Sequence, residues 1–449
     1  MCGIFGVIGP KEPSILEDVY LGLYALQHRG QESAGVAWFD EGGALRLQKG
    51  MGLVHAALSQ EQLSKERGSC AIGHVRYSTA GESSIINAQP LHATYSKGQV
   101  AIAHNGNITN AEMLKRDLES RGAIFQSTTD TEVILHLMAH EQDLPPIDAL
   151  IKALSKLRGA FSIVALIEGR LVAARDPWGF RPLVIGKRDG IHYVASESCA
   201  LDIVKATHVR DVNPGEIVII ERGEITSLSI PVKPARRFRC SFEYVYLARP
   251  DSDIDGRSVY DVRLKLGQNL AGTCPSPDGE MVLGMPDSGT IGALGYAVAS
   301  DLPFEMAIVR NRYVGRTFIQ PTQRVRQLGV QIKLNPIDKL IRGRNIVVVD
   351  DSIVRGTTSQ LAVRFLREAG ARKIHLRIAS PPVRFPCLYG IDTPRSADLA
   401  AAMMDTGDLR DFIGADTLCF LKVEDLINSI DLPATELCTA CFDGKYLEE

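Results

Sequence analysis

The stretch from Asn345 to Gly370, NIVVVDDSIVRGTTSQLAVRFLREAG, constrains the fold of this chain more than any other. Its β-branched run, Ile346 to Val349, suits a strand buried on both faces, as in a parallel sheet. Asp350 and Asp351 follow at once, and then a short loop, Ser352 to Gly356, rich in hydroxyl and glycine. Apolar residues recur at Leu361, Phe365, Leu366 and Ala369, a helical spacing that stops at Gly370 with Arg367 nearby. The predicted order is strand, acidic edge, phosphate-sized loop, helix start.

That order has a chemical logic. The first N–H groups of a helix lack intrahelical partners, and the dipole there favours an anion. Arg355, Gly356, Thr357 and Thr358 would set such N–H groups, two hydroxyls and a small residue around a phosphate. Adjacent carboxylates are poor phosphate ligands, but they suit a diol or a hard metal ion. Phosphate, diol and divalent ion together describe a phosphorylated ribose. The plainer alternative is a solvated Asp pair ahead of an ordinary helix cap, and the strand–loop–helix context argues against it. VVVDDSIVRGTTS closely resembles the phosphoribosyl pyrophosphate motif of type I phosphoribosyltransferases. The resemblance implies that Asp350 and Asp351 bind ribose hydroxyls. It implies equally that Ser352, Val354, Arg355, Gly356, Thr357 and Thr358 surround the 5′-phosphate.

The rest of the chain must supply the attacking group. With 449 residues the chain has room for two or three domains. Lys+Arg (50) and Asp+Glu (53) nearly balance, which argues against nucleic acid as a partner. No apolar run is long enough for a membrane span, and no secretory signal opens the chain. Nine cysteines at irregular spacing do not suggest a disulfide scaffold. A cytoplasmic enzyme is expected.

The chain opens MCGIFGVIG. Removal of Met1 would leave Cys2 with a free amine, reference pKa ~7.7–8.0, beside a thiol near ~8.5. Such a residue carries its own base and nucleophile, although a cysteine here also suits the start of a strand. Three segments bear on the choice. LQHRGQESAG (26–35) offers Arg29 and a turn at Gly30; GHVRYSTAG (73–81) is strand-like and contains Arg76, suited to a carboxylate. AHNGNITN (103–110) reads as a tight turn, a common role for Asn-Gly, whose Asn105 amide and Gly106 N–H could meet one oxyanion.

Together these segments resemble class II glutamine amidotransferases, from Cys2 to about Ile219, with ARDPWGFRPL and SESCAL included. The resemblance implies a four-layer αββα N-terminal-nucleophile hydrolase domain, followed by an α/β type I phosphoribosyltransferase domain. It makes Cys2 the nucleophile and Asn105 and Gly106 the oxyanion hole. Arg76 would hold the glutamine α-carboxylate, Asp130 its α-ammonium, and Arg29 would support the nucleophile. Asp130 also suits a plain helix cap before Val133. The DPWG and SES segments read as structural.

PVKPARRFR (231–239), with two prolines and a basic cluster, reads as the boundary between domains 2–231 and 240–449. In LGMPDSGTIGALGYA, the loop 286–290 with Asp287, Ser288 and Gly289 suits a pyrophosphate, or simply an Asx turn. Ser288, Asp350 and Asp351 would serve Mg²⁺. The arginine-rich run 310–327 is a solvated face or, by resemblance, a loop closing over the sugar phosphate.

Cys70, Cys199, Cys274 and Cys419 stand alone in sequence. ELCTACF brings Cys438 and Cys441 into a CxxC, which by spacing suits a redox pair, a zinc half-site or a cluster half-site. CSFEYVY, SPPVRFPCLYG and CTACF are similar to the segments that bind a [4Fe–4S] cluster in one branch of the amidophosphoribosyltransferases. That resemblance implies Cys240, Cys387, Cys438 and Cys441 as ligands, with structural zinc the alternative.

Both halves in one chain are similar to that family throughout. The similarity implies that glutamine, phosphoribosyl pyrophosphate and water give phosphoribosylamine, pyrophosphate and glutamate, opening purine synthesis. It also implies Mg²⁺, inhibition by purine nucleotides and a homotetramer. Cluster-bearing members often carry an acidic propeptide, whereas here Met1 alone precedes Cys2, so ordinary Met removal is expected to suffice. Two rivals remain open: a hexosamine-forming amidotransferase, which would lack VVVDDSIVRGTTS, and a catalytically dead phosphoribosyl-pyrophosphate-binding regulator.

Overall fold

A computed structural model of the chain describes residues 1–12, 14–77, 82–234, 236–311, 334–393 and 395–447. Among the described residues the N-terminal half is built on thirteen strands. They are β1 (Gly3–Glu12), β2 (Ser33–Phe39), β3 (Leu45–Met51), β4 (Gly68–Arg76), β5 (Leu91–Tyr95), β6 (Gly98–Ile108) and β7 (Gly159–Ile167). β8 (Arg170–Arg175), β9 (Val184–Arg188), β10 (Ile191–Ala195), β11 (Thr207–Asp211), β12 (Glu216–Glu221) and β13 (Glu224–Ser229) complete the set. One antiparallel sheet runs β11-β9-β10-β1-β4-β2-β3, the other β13-β12-β8-β7-β6-β5.

The sheets face each other through an apolar layer that includes Ile4, Ile72, Ala103, Val164, Leu171 and Val194. Helices Ser14–Ala25 and Cys199–Ile203 cover the outer face of the first sheet; Ala111–Ser120, Glu132–His140 and Pro146–Ser155 cover the second. The result is the expected αββα stack. Strand β7 is buried at every position, which suits a central strand whose neighbours cover both faces.

After β13 the chain runs through Ile230 and the proline-rich segment to a short strand, Arg239–Cys240. Beyond it four parallel strands stand in the order Met281–Gly284, Asn345–Asp350, Lys373–Ile378, Thr417–Phe420. Asn345–Asp350 is central and fully buried, as the β-branched run predicts. Helices Val259–Thr273 and Thr290–Ser300 pack on one face, Thr357–Glu368 and Thr406–Ile413 on the other. The first pair meets backbone to backbone, since a Cβ added to Gly267 would lie 1.9 Å from Gly292 O.

Some expectations fail here. AHNGNITN is not a turn: Asn105 and Gly106 lie inside β6, paired with Ser162 and Phe161 of β7. Long-range pairing overrides the local Asn-Gly preference. Gly30 is extended rather than a turn, and its missing side chain makes room for Val75 and Arg76, whose carbonyl carbons would lie 2.6 Å from an added Cβ. Cys274 and Cys419, read as solitary, form a disulfide joining the end of helix Val259–Thr273 to the edge strand. Asp130 does not cap a helix; the following helix begins at Glu132 with Thr131 in the cap position. Among the described residues no helix is long and apolar enough to cross a membrane.

Gly267→Ala should lower the stability of the second half by about 1–3 kcal/mol or more, the usual cost of overpacking. Denaturant melts compared with Gly272→Ala, where an added Cβ meets nothing, would measure it.

Candidate active site

Cys2 lies just ahead of β1 and is only 6 % exposed. Its backbone N donates to Asn105 Oδ1 at 3.2 Å, and its Sγ is 3.7 Å from Tyr77 O. The other end of the Asn105 amide, Nδ2, is buried and has no hydrogen-bond partner. Buried donors are nearly always satisfied, so this amide is free to donate to an acceptor near Cys2. Gly106 follows Asn105 on β6 and is pressed against β7, where an added Cβ would fall 2.0 Å from Ala160 O.

Behind these groups sits a buried polar layer. Gln89 Oε1 accepts from His104 N at 2.8 Å, and its Nε2 donates to Thr131 Oγ1. Thr131 Oγ1 also meets His104 Nδ1 at 3.1 Å, while His74 Nε2 donates to His104 O. Burial pulls His74 down to about 3, so the ring stays neutral. Asp130 accepts from Ile108 N at 2.9 Å. Arg76, almost fully buried, pairs with Glu32 and donates to Glu82 O. The last residues of the GHVRYSTAG segment, 78–81, lie outside the described residues.

Arg29 is the joint of this site. Its Nε donates to Cys2 O at 3.0 Å, and its other nitrogens meet the carboxylates of Glu197 and Glu243. Burial alone would lower the Arg29 pKa, but Glu243 and Glu197 outweigh it and hold the guanidinium charged. Burial would likewise raise Glu197, yet His28 and Arg29 keep it well below the usual carboxylate range. Glu243 also binds Arg181 at 3.2 Å, and Arg249 N and Ser252 Oγ each donate to Glu197 at 2.8 Å. The sequence motifs do not point to Glu243, and Glu197 lies in the SES segment that reads as structural. The available signal was a lone charge in an apolar run: Glu243 in CSFEYVYL and Arg181 in WGFRPLV.

The second pocket gathers at the C-terminal end of the parallel sheet. Asp350 ends its strand, Asp351 N donates to Asp350 Oδ1 at 2.9 Å, and Ser352 Oγ donates to Asp351 Oδ2 at 2.6 Å. Burial and the adjacent Asp351 push Asp350 well above the ordinary carboxylate range. Gly356, with φ +76°, occupies the cap position of helix Thr357–Glu368, a conformation that favours glycine. Val354 is half-buried, and Arg355, Thr357 and Thr358 are exposed around the helix start.

The loop Asp287–Gly289 lies directly alongside, since a Cβ on Gly289 would come within 3.0 Å of Asp350 Cα. Gly289 N and Thr290 N are already spent on Met285 O and Asp287 O. The amides of that loop are therefore less available for a pyrophosphate than the sequence suggests. Asp287 pairs with Arg310, and Ser288 is half-buried beside it. Residues 312–327 of the arginine-rich run lie outside the described residues.

One segment is tied to Arg29 on one side and to Arg263 on the other. Glu243–Leu247 forms a single π-helical turn, a rare element often found at functional sites. Glu243 binds Arg29, and Arg263 donates to Tyr244 O at 2.9 Å and Ala248 O at 2.8 Å from the other side. Burial pulls Arg263 down, with the charge of Asp351 partly opposing it.

The four cysteines Cys240, Cys387, Cys438 and Cys441 converge. Cys240 pairs with Cys438 in a two-stranded parallel ladder, and Cys441 O accepts from Arg384 N and Phe385 N. Burial pushes the Cys240 thiol up to about 11 and Cys438 and Cys441 well above their ordinary value, with the neighbouring thiols adding to the rise. Among the described residues no set of three His, Cys, Asp or Glu side chains already stands in metal-holding geometry.

A carboxyl raised on folding costs the fold stability as pH rises from the ordinary Asp range, about 3.9, toward the raised value. Asp350→Asn should therefore melt higher than the parent at pH 8 and lose that advantage toward pH 4, while binding sugar phosphate poorly. Thermal melts across that range check the sign.

Residues 74–202 match the glutamine amidotransferase domain model. The chain is 45 % identical over 449 residues to an amidophosphoribosyltransferase of Methanothermobacter thermautotrophicus, covering 99 % of this chain and 94 % of that one. It is 47 % identical over 446 residues to a chloroplastic amidophosphoribosyltransferase of Vigna aconitifolia, covering 99 % and 91 %. The structure superposes on a glutamine phosphoribosylpyrophosphate amidotransferase from B. subtilis complexed with ADP and GMP. That match has a TM-score of 0.92 and 44 % identity, covering 100 % of this chain and 98 % of the other. Similarity at this level over nearly its whole length means that the chain belongs to the amidophosphoribosyltransferase family.

Proposed function

We propose that Cys2 is the nucleophile that releases ammonia from glutamine, and that Asp350 and Asp351 hold the sugar this ammonia attacks. The observation that carries the reading is the unpartnered Asn105 Nδ2, buried beside Cys2. In the first pocket the Cys2 thiol, its proton taken by the residue's own free amine, adds to the side-chain amide carbon. Asn105 Nδ2 and Gly106 N–H receive the developing oxyanion. Collapse expels ammonia and leaves a thioester, which water cleaves to glutamate. Arg76 would turn from Glu32 to the substrate α-carboxylate, with Asp130 on the α-ammonium. Arg29 fixes the Cys2 carbonyl and so the direction of the thiol.

In the second pocket Asp350 and Asp351 accept the ribose hydroxyls, and Ser352 to Thr358 receive the 5′-phosphate at the helix start. Asp287, Ser288 and Gly289 stand beside the pyrophosphate. Ammonia attacks C1 as the C1–oxygen bond to pyrophosphate breaks, giving phosphoribosylamine. The raised Asp350 fits a pair lacking its counter-charge, so Asp350, Asp351 and Ser288 would hold Mg²⁺. When bound, Mg²⁺ supplies charge neutralisation to the departing pyrophosphate.

The convergence of Cys240, Cys387, Cys438 and Cys441 supports a [4Fe–4S] cluster held by their thiolates. Three buried thiols and the half-buried Cys387 are a soft donor set, and the Arg181 cation stands beside Cys240 and Cys387. Such a group would tie the C-terminal segment to Cys240 and Cys387. The relative complexed with ADP and GMP supports purine nucleotides as inhibitors. A homotetramer in the cytoplasm belongs to the same proposal.

Incubation with glutamine, phosphoribosyl pyrophosphate and Mg²⁺ should release glutamate and pyrophosphate in equal amounts. Glutamate without pyrophosphate would sink the reading. Cys2→Ala should abolish glutamine use and spare ammonia-dependent turnover; loss of both would make Cys2 structural. Anaerobically purified protein should be brown and hold about four irons per chain, and a colourless, zinc-loaded protein would overturn the cluster.

A further inference from the structure

The oxyanion strand is not finished by its own half of the chain. Gly390, far away in sequence, packs on Gly106: an added Cβ would lie 2.7 Å from Gly106 C and O and 3.0 Å from its Cα. Gly390 has φ +99°, a conformation that disfavours any side chain. The next residue of β6 makes a second tie, with Asn107 Nδ2 donating to Leu388 O at 2.8 Å. Gly106 is thus held between Ala160 O on one side and the Leu388–Gly390 backbone on the other.

The loop that does this is itself firmly held. Tyr389 stacks on Phe180 with ring centroids 4.2 Å apart, and its carbonyl accepts from Arg181 Nε at 3.1 Å. Cys387 N donates to Thr393 Oγ1 at 2.6 Å, and Cys387 Sγ accepts from Tyr389 N. From the C-terminal end, Tyr446 Oη donates to Pro386 O and Leu447 N donates to Tyr389 Oη. A rigid loop pressed on a catalytic backbone can define where that backbone's N–H points.

We propose that Gly390 and Asn107 are positioning residues for glutamine cleavage: through them the sugar-phosphate half sets the oxyanion hole of the glutamine half. The inference rests on the reading of Asn105 and Gly106 given above. Oxyanion stabilisation acts on the transition state, and a donor displaced by about 1 Å can cost on the order of a hundredfold. Ground-state binding through Arg76 and Asp130 does not depend on it.

The test uses the full-length protein, with Gly390→Ala and Asn107→Asp assayed beside the parent. Asn107→Asp removes the donor and sets a carboxylate against the Leu388 carbonyl. For both variants kcat with glutamine should fall at least about tenfold. The KM for glutamine should stay within about threefold, and ammonia-dependent turnover within about twofold. Unchanged kcat with glutamine in Asn107→Asp would overturn the proposal. So would parallel loss of the glutamine and ammonia activities in both variants, the mark of a merely structural contact. Turnover by the parent tests the underlying reading separately, and iron content measured on the same samples separates this effect from loss of the cysteine site.

Discussion

Everything else in this molecule depends on Arg29 being buried and charged. A guanidinium taken out of water is tolerable only if carboxylates meet it, and removing one partner of such a set typically costs about 3–5 kcal/mol. Arg29 takes Glu197 from its own half and Glu243 from the other, and spends a further donor on the Cys2 carbonyl. Glu197 in turn gathers Arg249 N and Ser252 Oγ across the same boundary. Cys2 is therefore anchored to a charge that carboxylates of both halves meet. Separating the halves would strand several buried charges at once.

The parts of this architecture that could be read from the sequence are those encoded locally. Ile346 to Gly370 carries its own strand, acid pair, turn glycine and helix in one short run, and the structure reproduces each in order. Asn105 and Gly106 read as a tight turn, but they lie within a strand, because their geometry comes from β7, half a domain away. The Arg29–Glu197–Glu243–Arg181 set and the Cys274–Cys419 disulfide are distributed across the chain, and no spacing rule connects such positions. Local structure is legible in the sequence, whereas long-range neutralisation is not.

The two pockets store instability differently. In the second, Asp350 and Asp351 stand together at the C-terminal end of a central strand, and the fold tolerates one raised carboxyl for the sake of a site that a cation or a diol would relieve. In the first, the cost is an unsatisfied amide, Asn105 Nδ2, kept in place by a fully bonded layer of Gln89, His104 and Thr131. Local rules are broken at both places and obeyed around them, the pattern expected where function rather than stability chose the residue.

The segment Glu243–Ala248 explains how two chemistries can share one molecule. Its acid end is fixed by Arg29 and Arg181 beneath Cys2, and its carbonyls are fixed by Arg263, whose charge is felt by Asp351. A π-helical turn held by three guanidinium groups has little freedom to shift one end without the other. Ammonia set free in water would be diluted and largely protonated at neutral pH, losing the lone pair that attacks carbon. An element tied on one side to Arg29 and Arg181 and on the other to Arg263 links the two halves of the chain that carry these reactions.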